Sequence, residues 1–215
     1  GRGRASLDRS DADREPGPDS GGAVMPSTPP PRPLAPTIRT ASTVDATAIA
    51  GIHVRSWIAT YGKPPSKIEN DIDRRTKVWR QRLGRLGPWP RTMVAVADGA
   101  ITGFIYFGPS PDPDHDPART AQVFSLHVDP EMTGRGVGRM LLEHATATME
   151  AEGFSEATLW AVAANPNSRG FYERLGWQAD GGRRREPLAV EGESGAAVEV
   201  VRYHLPLTPD QASAP

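Results

Sequence analysis

One stretch decides how the rest of the chain is interpreted: Gln122-Val-Phe-Ser-Leu-His-Val-Asp-Pro-Glu-Met-Thr-Gly-Arg-Gly-Val-Gly-Arg-Met-Leu-Leu142. Its first half is an apolar run, which is typical of a strand covered on both faces. Asp129-Pro130 ends this strand, because proline cannot donate to a ladder and restricts the residue before it. A helix is predicted to begin near Gly136 to Gly138 and to end at Gly153. The stretch therefore predicts a strand, a tight glycine turn and a helix.

Three closely spaced glycines at this junction predict an anion-binding site. Gly134, Gly136 and Gly138 leave the backbone without side chains where the first amides of the helix point outward. Those amides have no acceptor inside the helix, and the helix dipole adds partial positive charge there. Such a turn suits a phosphate or pyrophosphate. The alternative interpretation is that the glycines only form a turn.

Two common phosphate motifs do not match this turn. A P-loop needs a lysine directly after its second glycine, and the chain has no lysine after Lys77. The dinucleotide pattern G-x-G-x-x-G places Arg139 at its third glycine when it is counted from Gly134. When it is counted from Gly136, the third glycine is replaced by Leu141. Both nucleotide hypotheses are therefore excluded.

What remains resembles the coenzyme A pyrophosphate loop of the GNAT acetyltransferase superfamily, (Arg/Gln)-x-x-Gly-x-(Gly/Ala), which residues 133–138 match. Thr133 departs from the pattern, whose first position is arginine or glutamine. Two other segments resemble the family: Ile38-Arg-x-Ala-x-x-x-Asp45 with Ile52-His-Val-Arg-Ser-Trp57-x-x-Thr60-Tyr61, and Asn165-x-x-Ser168-x-x-Phe171-Tyr172-Glu-Arg-Leu-Gly176-Trp177. The resemblance covers residues 37–207 and is carried by three separate segments.

The order of predicted elements is β-α-α-β-β-β-α-β-α-β-β, which predicts a mixed α/β (α+β) sheet with helices on its faces. The resemblance implies the GNAT acyl-CoA N-acyltransferase fold, in which a central pair of strands splays apart. We expect one domain over residues 37–207, after a disordered Pro/Gly-rich arm over residues 1–36 and before a flexible tail over residues 208–215. The arm contains eight prolines and five glycines, and it has too little apolar surface to offset the entropy of ordering. Met25 is a candidate start of the natural chain.

Local signals predict the shorter elements. Asp98-Gly99 is a strong hairpin signal, and capping boxes at Ser42–Asp45 and Ser66–Glu69 predict two helix starts. Gly108–Ala118 is predicted to be a solvated acidic loop, because it lacks the glycine and glutamate that a calcium loop requires. Arg183–Arg185 is predicted to lie in a polar loop between the last two strands. The second helix is predicted to place these residues on one face: Ile68, Ile72, Trp79 and Leu83.

Composition excludes several classes of function. The formal net charge is −1, which gives no attraction to nucleic acid or to an anionic membrane. There is no cysteine, so we expect no disulfide, no thiolate metal site and no acyl-cysteine intermediate. The five histidines lack ligand spacing, so we expect no metal. No apolar run reaches membrane length, and we expect a cytoplasmic location.

The resemblance implies how acetyl-CoA, the expected cosubstrate, is held. The backbone of Leu126 and Val128 pairs with the pantetheine arm, and an N–H near Leu126 stabilises the oxyanion of the tetrahedral intermediate. Asn165 hydrogen-bonds the arm, and Tyr172 protonates the departing thiolate, since the pKa of a phenol is near that of a thiol. Leu126 and Tyr172 are thus the expected catalytic residues. The expected cofactor-binding residues are Leu126, His127, Val128, Gly134, Arg135, Gly136, Val137, Gly138, Arg139, Asn165, Ser168 and Tyr172.

The resemblance says less about the residues that bind and deprotonate the acceptor amine. Trp57, Tyr61 and Tyr106 are expected to line an apolar acceptor pocket. Some relatives use a glutamate as general base where this chain has Gln122, which cannot accept a proton at neutral pH. Because side chains alternate along a strand, it stays open whether His127 faces the cleft. The base is therefore left open among His127, His53, Glu69, Tyr106 and a water relay.

These expectations describe an N-acetyltransferase that transfers an acetyl group from acetyl-CoA to a primary amine by direct attack in a ternary complex. A small-molecule amine is favoured as the acceptor, and small amines, amino acids, antibiotics and peptide or protein amines all stay open. A homodimer is a further expectation. The alternative hypothesis is a non-catalytic acyl-CoA-binding sensor, which would need no thiolate acid such as Tyr172. A third hypothesis is a protein-interaction scaffold that uses the proline-rich arm.

Overall fold

The computed structural model describes residues 36–62, 72–187 and 197–207. Some sequence predictions lie outside these residues: the arm up to residue 35, the capping box at Ser66–Glu69 with Ile68, and the tail over residues 208–215. The first described strand begins at Thr37 and the last one ends at Pro206.

Seven strands are present in the described part of the chain: β1 Thr37–Thr40, β2 Arg91–Ala97, β3 Ala100–Pro109, β4 Thr120–Val128, β5 Glu156–Val162, β6 Gln178–Pro187 and β7 Ala197–Pro206. They form one sheet in the order β1-β2-β3-β4-β5-β7-β6, in which β4 and β5 are parallel and the other neighbours are antiparallel. The helices are α1 Ala46–Tyr61, α2 Ile72–Leu83, α3 Val137–Ala151 and α4 Pro166–Arg174, with 3₁₀ turns at Thr43–Asp45 and Pro130–Met132. The predicted element order and mixed α/β class are confirmed. Among the described helices, none combines the length and the apolar character that crossing a membrane requires.

The sheet carries an apolar core on each face, because side chains alternate along its strands. In β2, Val94 belongs to one core, while Met93 and Ala95 belong to the other. α1 and α2 cover the first core, whose largest buried side chains are Trp79 and Phe104. α3 covers the second core with residues at helical spacing: Val137, Leu141, Leu142, Ala145 and Met149. Burial of one large aliphatic side chain contributes roughly 1.5–3 kcal/mol, so these contacts hold the helices on the sheet.

The parallel strands β4 and β5 separate part-way along their length. Their pairing ends at Val123 and Leu159, although β4 continues to Val128. The separation begins beside a β-bulge, where Phe124 has no partner in β3. A bulge bends its strand and increases the local twist, which turns the end of β4 away from β5. The expected splayed pair of central strands is therefore confirmed.

Three local predictions agree with the backbone geometry. Asp98 (φ 49°) and Gly99 (φ 77°) both have positive φ, as a tight two-residue hairpin turn requires. The Ser42 backbone N–H donates to Asp45 Oδ2 at 2.8 Å, as in a capping box. α3 ends just before Gly153, whose φ of 89° is the left-handed conformation that commonly terminates helices.

Two predictions about charged segments are wrong. Arg183–Arg185 lies within β6, in register with β7, rather than in a loop. The segment Gly108–Ala118 is not fully solvated, because Asp112 is only 4% exposed. The Asp112 carboxylate accepts from Trp160 Nε1 at 2.8 Å and from Arg184 Nη1 at 2.6 Å. A buried carboxylate needs such partners, and these lie far away in the sequence.

The buried face of α2 also differs from the prediction at one position. Trp79 is buried and Leu83 packs against the same core, as expected. Ile72 is 41% exposed, because it is the first residue of α2 and lies at the end of the helix. Arg75 and Thr76 occupy buried positions one turn further along.

Candidate active site

The glycine turn before α3 leaves backbone N–H groups without partners. Gly134 (φ 79°) and Gly136 (φ 82°) both adopt the left-handed conformation, which glycine reaches without strain. The first hydrogen bond of α3 runs from the Met140 N–H to the Gly136 carbonyl at 3.0 Å. The N–H groups of residues 137–139 donate to no other described residue. Together with the helix dipole they form an anion-binding site.

A cavity of about 640 Å³ opens at this turn. It lies between the start of α3, α4 and the end of β4 that does not pair with β5. Arg174, which the sequence pattern does not predict as a site residue, lines it and joins Arg139 as a cationic side chain on its wall. The combination of backbone donors and cations suits a phosphorylated ligand. Most expected cofactor-binding residues also line this cavity: Leu126, His127, Val128, Gly134, Gly136, Val137, Gly138, Arg139, Ser168 and Tyr172.

A second cavity, of about 180 Å³, lies where β4 and β5 separate. Its wall includes the aromatic side chains of Trp57, Tyr61, Phe124, Trp160 and Tyr172. The expected cofactor residue Asn165 lines this cavity and not the larger one. Among the described residues that line it, none is aspartate, glutamate, lysine or arginine. The cavity therefore suits an uncharged group that can use both aromatic contacts and hydrogen bonds.

Three residues that the sequence relates to the site line neither cavity. Tyr106 packs against Trp79 and Phe124, at ring-centroid distances of 5.7 and 5.1 Å, and lines neither cavity. We therefore do not include it in the acceptor pocket. Arg135 also lines neither cavity, and its backbone N–H is used inside the glycine turn. Gln122 is buried in the paired half of β4, away from both cavities.

The two cavities share one wall, which we call the junction. It consists of Ser56, Thr60, Leu126, His127, Ser168 and Tyr172. Burial, and secondly the neighbouring Tyr61, raises the pKa of Tyr172 above its ordinary value. Its hydroxyl therefore stays protonated at physiological pH. No other described residue is hydrogen-bonded to that hydroxyl, so its proton is available to a ligand.

Asn165 anchors one edge of the junction by starting α4. Its Oδ1 accepts from the Ser168 backbone N–H at 3.0 Å, as an N-cap residue does. Its Nδ2 lies 3.4 Å from the Tyr61 hydroxyl oxygen. Because the cap uses Oδ1, the amide NH₂ is the part of Asn165 that can reach a ligand.

His127 is the other titratable side chain of the junction. Its ring contacts the rings of His53 and Phe104, with centroid distances of 4.4 and 5.2 Å. Ser56 Oγ lies 2.7 Å from His127 Nδ1. Burial, with the charge of Arg75, lowers the pKa of His127 to about 4. The ring is therefore neutral at pH 7.

Trp160 is held in place by a network of charged side chains. The Arg184 guanidinium lies 3.9 Å from the indole ring centroid, and the indole N–H donates to Asp112. The carboxylates of Asp112 and Asp114, with one histidine of the same segment, are close enough together to hold a metal ion. They pair instead with Arg184 at 2.6 Å and with Arg202 at 2.8 Å. We therefore interpret the network as a support for the Trp160 wall of the smaller cavity.

The sequence pattern predicts some of these residues and misses others. Ser56 and Thr60 are four residues apart in α1, directly before Trp57 and Tyr61, so helical spacing could have placed all four on one wall. No comparable signal exists for Trp160, because its supporting partners come from distant elements.

Residues 49–177, which include most of α1 and all of α3 and α4, match the acetyltransferase (GNAT) family. The chain belongs to this family. This assignment confirms the family resemblance that the glycine turn and the segment around Tyr172 indicate.

Individual GNAT relatives show how far the likeness extends. The ribosomal protein bS18-alanine N-acetyltransferase of Salmonella typhimurium is 35% identical over 78 residues, which are 36% of this chain and 53% of that enzyme. The chain thus spans about half the length of that relative. Probable N-acetyltransferase Rv2775 of Mycobacterium tuberculosis is 27% identical over 174 residues, 78% of this chain and 92% of that protein. The structure of yncA from Salmonella typhimurium with its cofactor acetyl-CoA has a TM-score of 0.59 and 23% identity, over 85% of this chain and 98% of that one. The last comparison confirms the GNAT fold.

Proposed function

We propose that this protein is an acetyl-CoA-dependent N-acetyltransferase that transfers an acetyl group directly to a primary amine of a small molecule. The observation that carries the proposal is the meeting of two chemically different cavities at Leu126 and Tyr172. The larger cavity suits a phosphorylated donor, and the smaller one suits the amine-bearing end of an acceptor. A thioester and an amine that enter from these two sides meet at the junction.

The larger cavity supports acetyl-CoA as the donor. The N–H groups of residues 137–139 would hold its pyrophosphate, and Arg139 and Arg174 add positive charge on the same wall. Residues 126–128 of β4 pair with β3 but not with β5. On the side that faces β5 they offer backbone groups to the pantetheine arm, much as they would to an added strand.

The junction supports catalysis as well as binding. The Leu126 N–H would stabilise the oxyanion of the tetrahedral intermediate, and the loss of such a donor typically costs about 3 kcal/mol. Tyr172 would donate its proton to the departing thiolate: burial keeps the phenol protonated but also makes it a weaker acid than a free phenol, so the transfer depends on the negative charge that forms on the sulfur. The sequence contains no cysteine to carry an acyl group, which favours direct attack by the amine.

The wall of the smaller cavity favours a small amine whose body is uncharged. Its volume of about 180 Å³ admits only part of a small molecule, and its aromatic side chains offer apolar and cation–π contacts. One relative is named for a ribosomal protein acceptor, but it aligns with only 36% of this chain. A peptide α-amine therefore belongs among the acceptors to be tested.

A panel of amines tests the proposal. Arylalkylamines, polyamines, amino acids, aminoglycosides and alanine-initiated peptides are each incubated with acetyl-CoA, and free thiol is measured. We expect amine-dependent thiol release that is fastest with an amine on an uncharged body. Acetyl-CoA affinity is measured in parallel by calorimetry. Saturable binding without release for any class would support the acyl-CoA sensor, and the absence of binding would contradict both hypotheses.

A further inference from the structure

An amine that is acetylated must lose a proton, and the junction contains two titratable side chains in its described wall, His127 and Tyr172. Tyr172 keeps its own proton because burial disfavours the phenolate. Gln122, at the position where some relatives have a glutamate, is buried away from both cavities. Whether His127 can accept the proton depends on which of its ring nitrogens is bare.

The hydrogen bonds of Ser56 determine the tautomer of His127. Ser56 Oγ lies 3.1 Å from the His53 carbonyl oxygen and 2.7 Å from His127 Nδ1. The Ser56 hydroxyl is positioned to donate its single proton to the His53 carbonyl, as serines inside helices commonly do, and this arrangement favours one tautomer of His127. With that proton directed at His53, Ser56 Oγ accepts from the Nδ1–H of His127. A neutral imidazole with its proton on Nδ1 has an unprotonated Nε2 that can accept a proton.

Nε2 of His127 is accessible from the cavity. It has no hydrogen-bond partner among the described residues. Among the described residues, Thr76 Oγ1 is the one fully buried side-chain polar atom that lacks a hydrogen-bond partner. His127 Nε2 also lacks a partner among them, so it does not belong to the fully buried atoms. Nε2 is therefore not sealed in the core, which agrees with the position of His127 on the wall of both cavities.

The groups around the ring come from three elements. His53 of α1 and Phe104 of β3 contact it directly, and Arg75 of α2 adds a positive charge. Burial, His127 and Arg75 also lower the pKa of His53, so the two rings do not share a proton at pH 7. The lowered pKa makes His127 a weak base, which accepts a proton only from a nitrogen made acidic by its forming bond to the acetyl carbon and then releases that proton readily.

We propose that His127 is the general base of the acetyl transfer: Nε2 takes the proton of the attacking amine, while Ser56 holds the ring through Nδ1. This inference rests on the N-acetyltransferase function proposed above. The amine nitrogen bonds to the acetyl carbon, its proton moves to Nε2, the C–S bond breaks, and the Tyr172 proton moves to the departing sulfur. His127 then releases its proton to solvent and Tyr172 takes one up, so the products are the N-acetylated amine and the free thiol of coenzyme A.

The tautomer can be tested without an acceptor. The full chain is labelled with ¹⁵N-histidine, and long-range ¹H–¹⁵N spectra are recorded at pH 7, with His127→Ala used to assign the signals. We expect the His127 ring to carry its proton on Nδ1, and Ser56→Ala to shift it toward a mixture of tautomers. A proton on Nε2, or a ring that is charged at pH 7, would overturn the proposal whatever the amine panel shows.

The kinetic role is tested by thiol release from acetyl-CoA, with 2-phenylethylamine as the acceptor and without amine, where water is the acceptor. His127→Ala should lower kcat by about 100-fold or more while acetyl-CoA affinity stays within about twofold. Added imidazole should restore part of the rate, since it can occupy the space left by the ring. Ser56→Ala should lower kcat by roughly tenfold, because it removes only the partner of Nδ1.

His144→Ala is the matched control, because His144 lies on the exposed side of α3. It should behave like the unaltered chain and should not respond to imidazole. An unchanged rate in His127→Ala, or a loss that imidazole does not restore while acetyl-CoA still binds, would contradict the role as base. Should His127→Ala lose acetyl-CoA binding, His127→Gln keeps the volume of the ring and decides the same question. The failure of the unaltered chain to bind acetyl-CoA would instead contradict the proposed function.

Discussion

The two cavities of this protein are built in opposite ways. The larger one depends on backbone, because consecutive residues 134–139 supply the turn, the start of α3 and the N–H donors. The smaller one depends on side chains, which come from α1, β4, β5 and α4. Trp57 and Trp160 face the same small space from distant parts of the chain. A site made of backbone tolerates most side-chain changes, whereas a site made of side chains is altered by a single substitution.

The largest effect is expected at the junction, which belongs to both cavities. Tyr172→Phe removes the proposed acid but keeps the ring, so kcat should fall about a thousandfold while acetyl-CoA affinity changes by less than about threefold. Steady-state kinetics and calorimetry measure the two quantities. Tyr106→Phe is the control, because that ring lies outside both cavities, and it should retain full activity. Equal losses in both variants would contradict the role of Tyr172.

A second substitution should affect the backbone-built cavity alone. Gly136→Asp forces a left-handed conformation on a side-chain residue and adds a negative charge beside the N–H donors. A Cβ atom at this position meets no atom within 4 Å, so the effect is expected from strain and charge rather than from a clash at the Cβ. We expect the acetyl-CoA Kd to rise about 100-fold, with little change in stability beyond that strain.

Gly181→Asp is the control for this effect. Gly181 has a similar φ of 90° but lies in β6, outside both cavities. Its substitution should destabilise the fold by a comparable amount and leave the acetyl-CoA Kd unchanged. Comparable losses of affinity in the two variants would mean that the glycine turn acts only through folding.

His127, which lines both cavities, should make the free energy of unfolding depend on pH. The pKa of His127 is about 4 in the folded protein, against about 6.5 in an unfolded chain. Between these values the unfolded state binds more protons, so the free energy of unfolding should fall as the pH is lowered from about 6.5 to about 4. After a discount for partial solvent exposure, we expect a loss of about 2 kcal/mol. Urea titrations at several pH values measure it, and an equally steep loss in His127→Ala would exclude His127 as the source.

The smallest effect is expected on the acceptor side. Trp57→Ala removes one aromatic wall of the smaller cavity and should raise the KM for a small aromatic amine about tenfold, which corresponds to one lost aromatic contact. The acetyl-CoA Kd should not change, because Trp57 does not line the larger cavity. A parallel rise in both constants would show that the two cavities are not independent.

Features that depend on neighbouring residues could be predicted from the sequence. The turn at Asp98-Gly99, the cap at Ser42 and the end of α3 at Gly153 each follow from backbone preferences within a few residues. The order of elements follows from hydrophobic periodicity, which is also local. The anion-binding turn belongs to this group, because its donors are the first amides of the helix that it begins.

Features that depend on register could not be predicted in this way. Tyr106 was expected in the acceptor pocket, but it packs against Trp79 of α2 and lines neither cavity. Its neighbour Phe124, the extra residue of the β4 bulge, lines the smaller cavity instead. A bulge changes which side chains share a face, and its position is not encoded by alternation alone. Asp112 was expected in solvent for a related reason, since its partners Trp160 and Arg184 come from other strands.

The sequence by itself determined the glycine turn, its helix and the unpaired amides, because backbone geometry is decided over a few neighbouring residues. Only the tertiary structure decided that His127 of β4 meets Ser56 of α1. The physical reason is that a side-chain contact depends on strand register and helix rotation, both of which are set by the packing of the whole core.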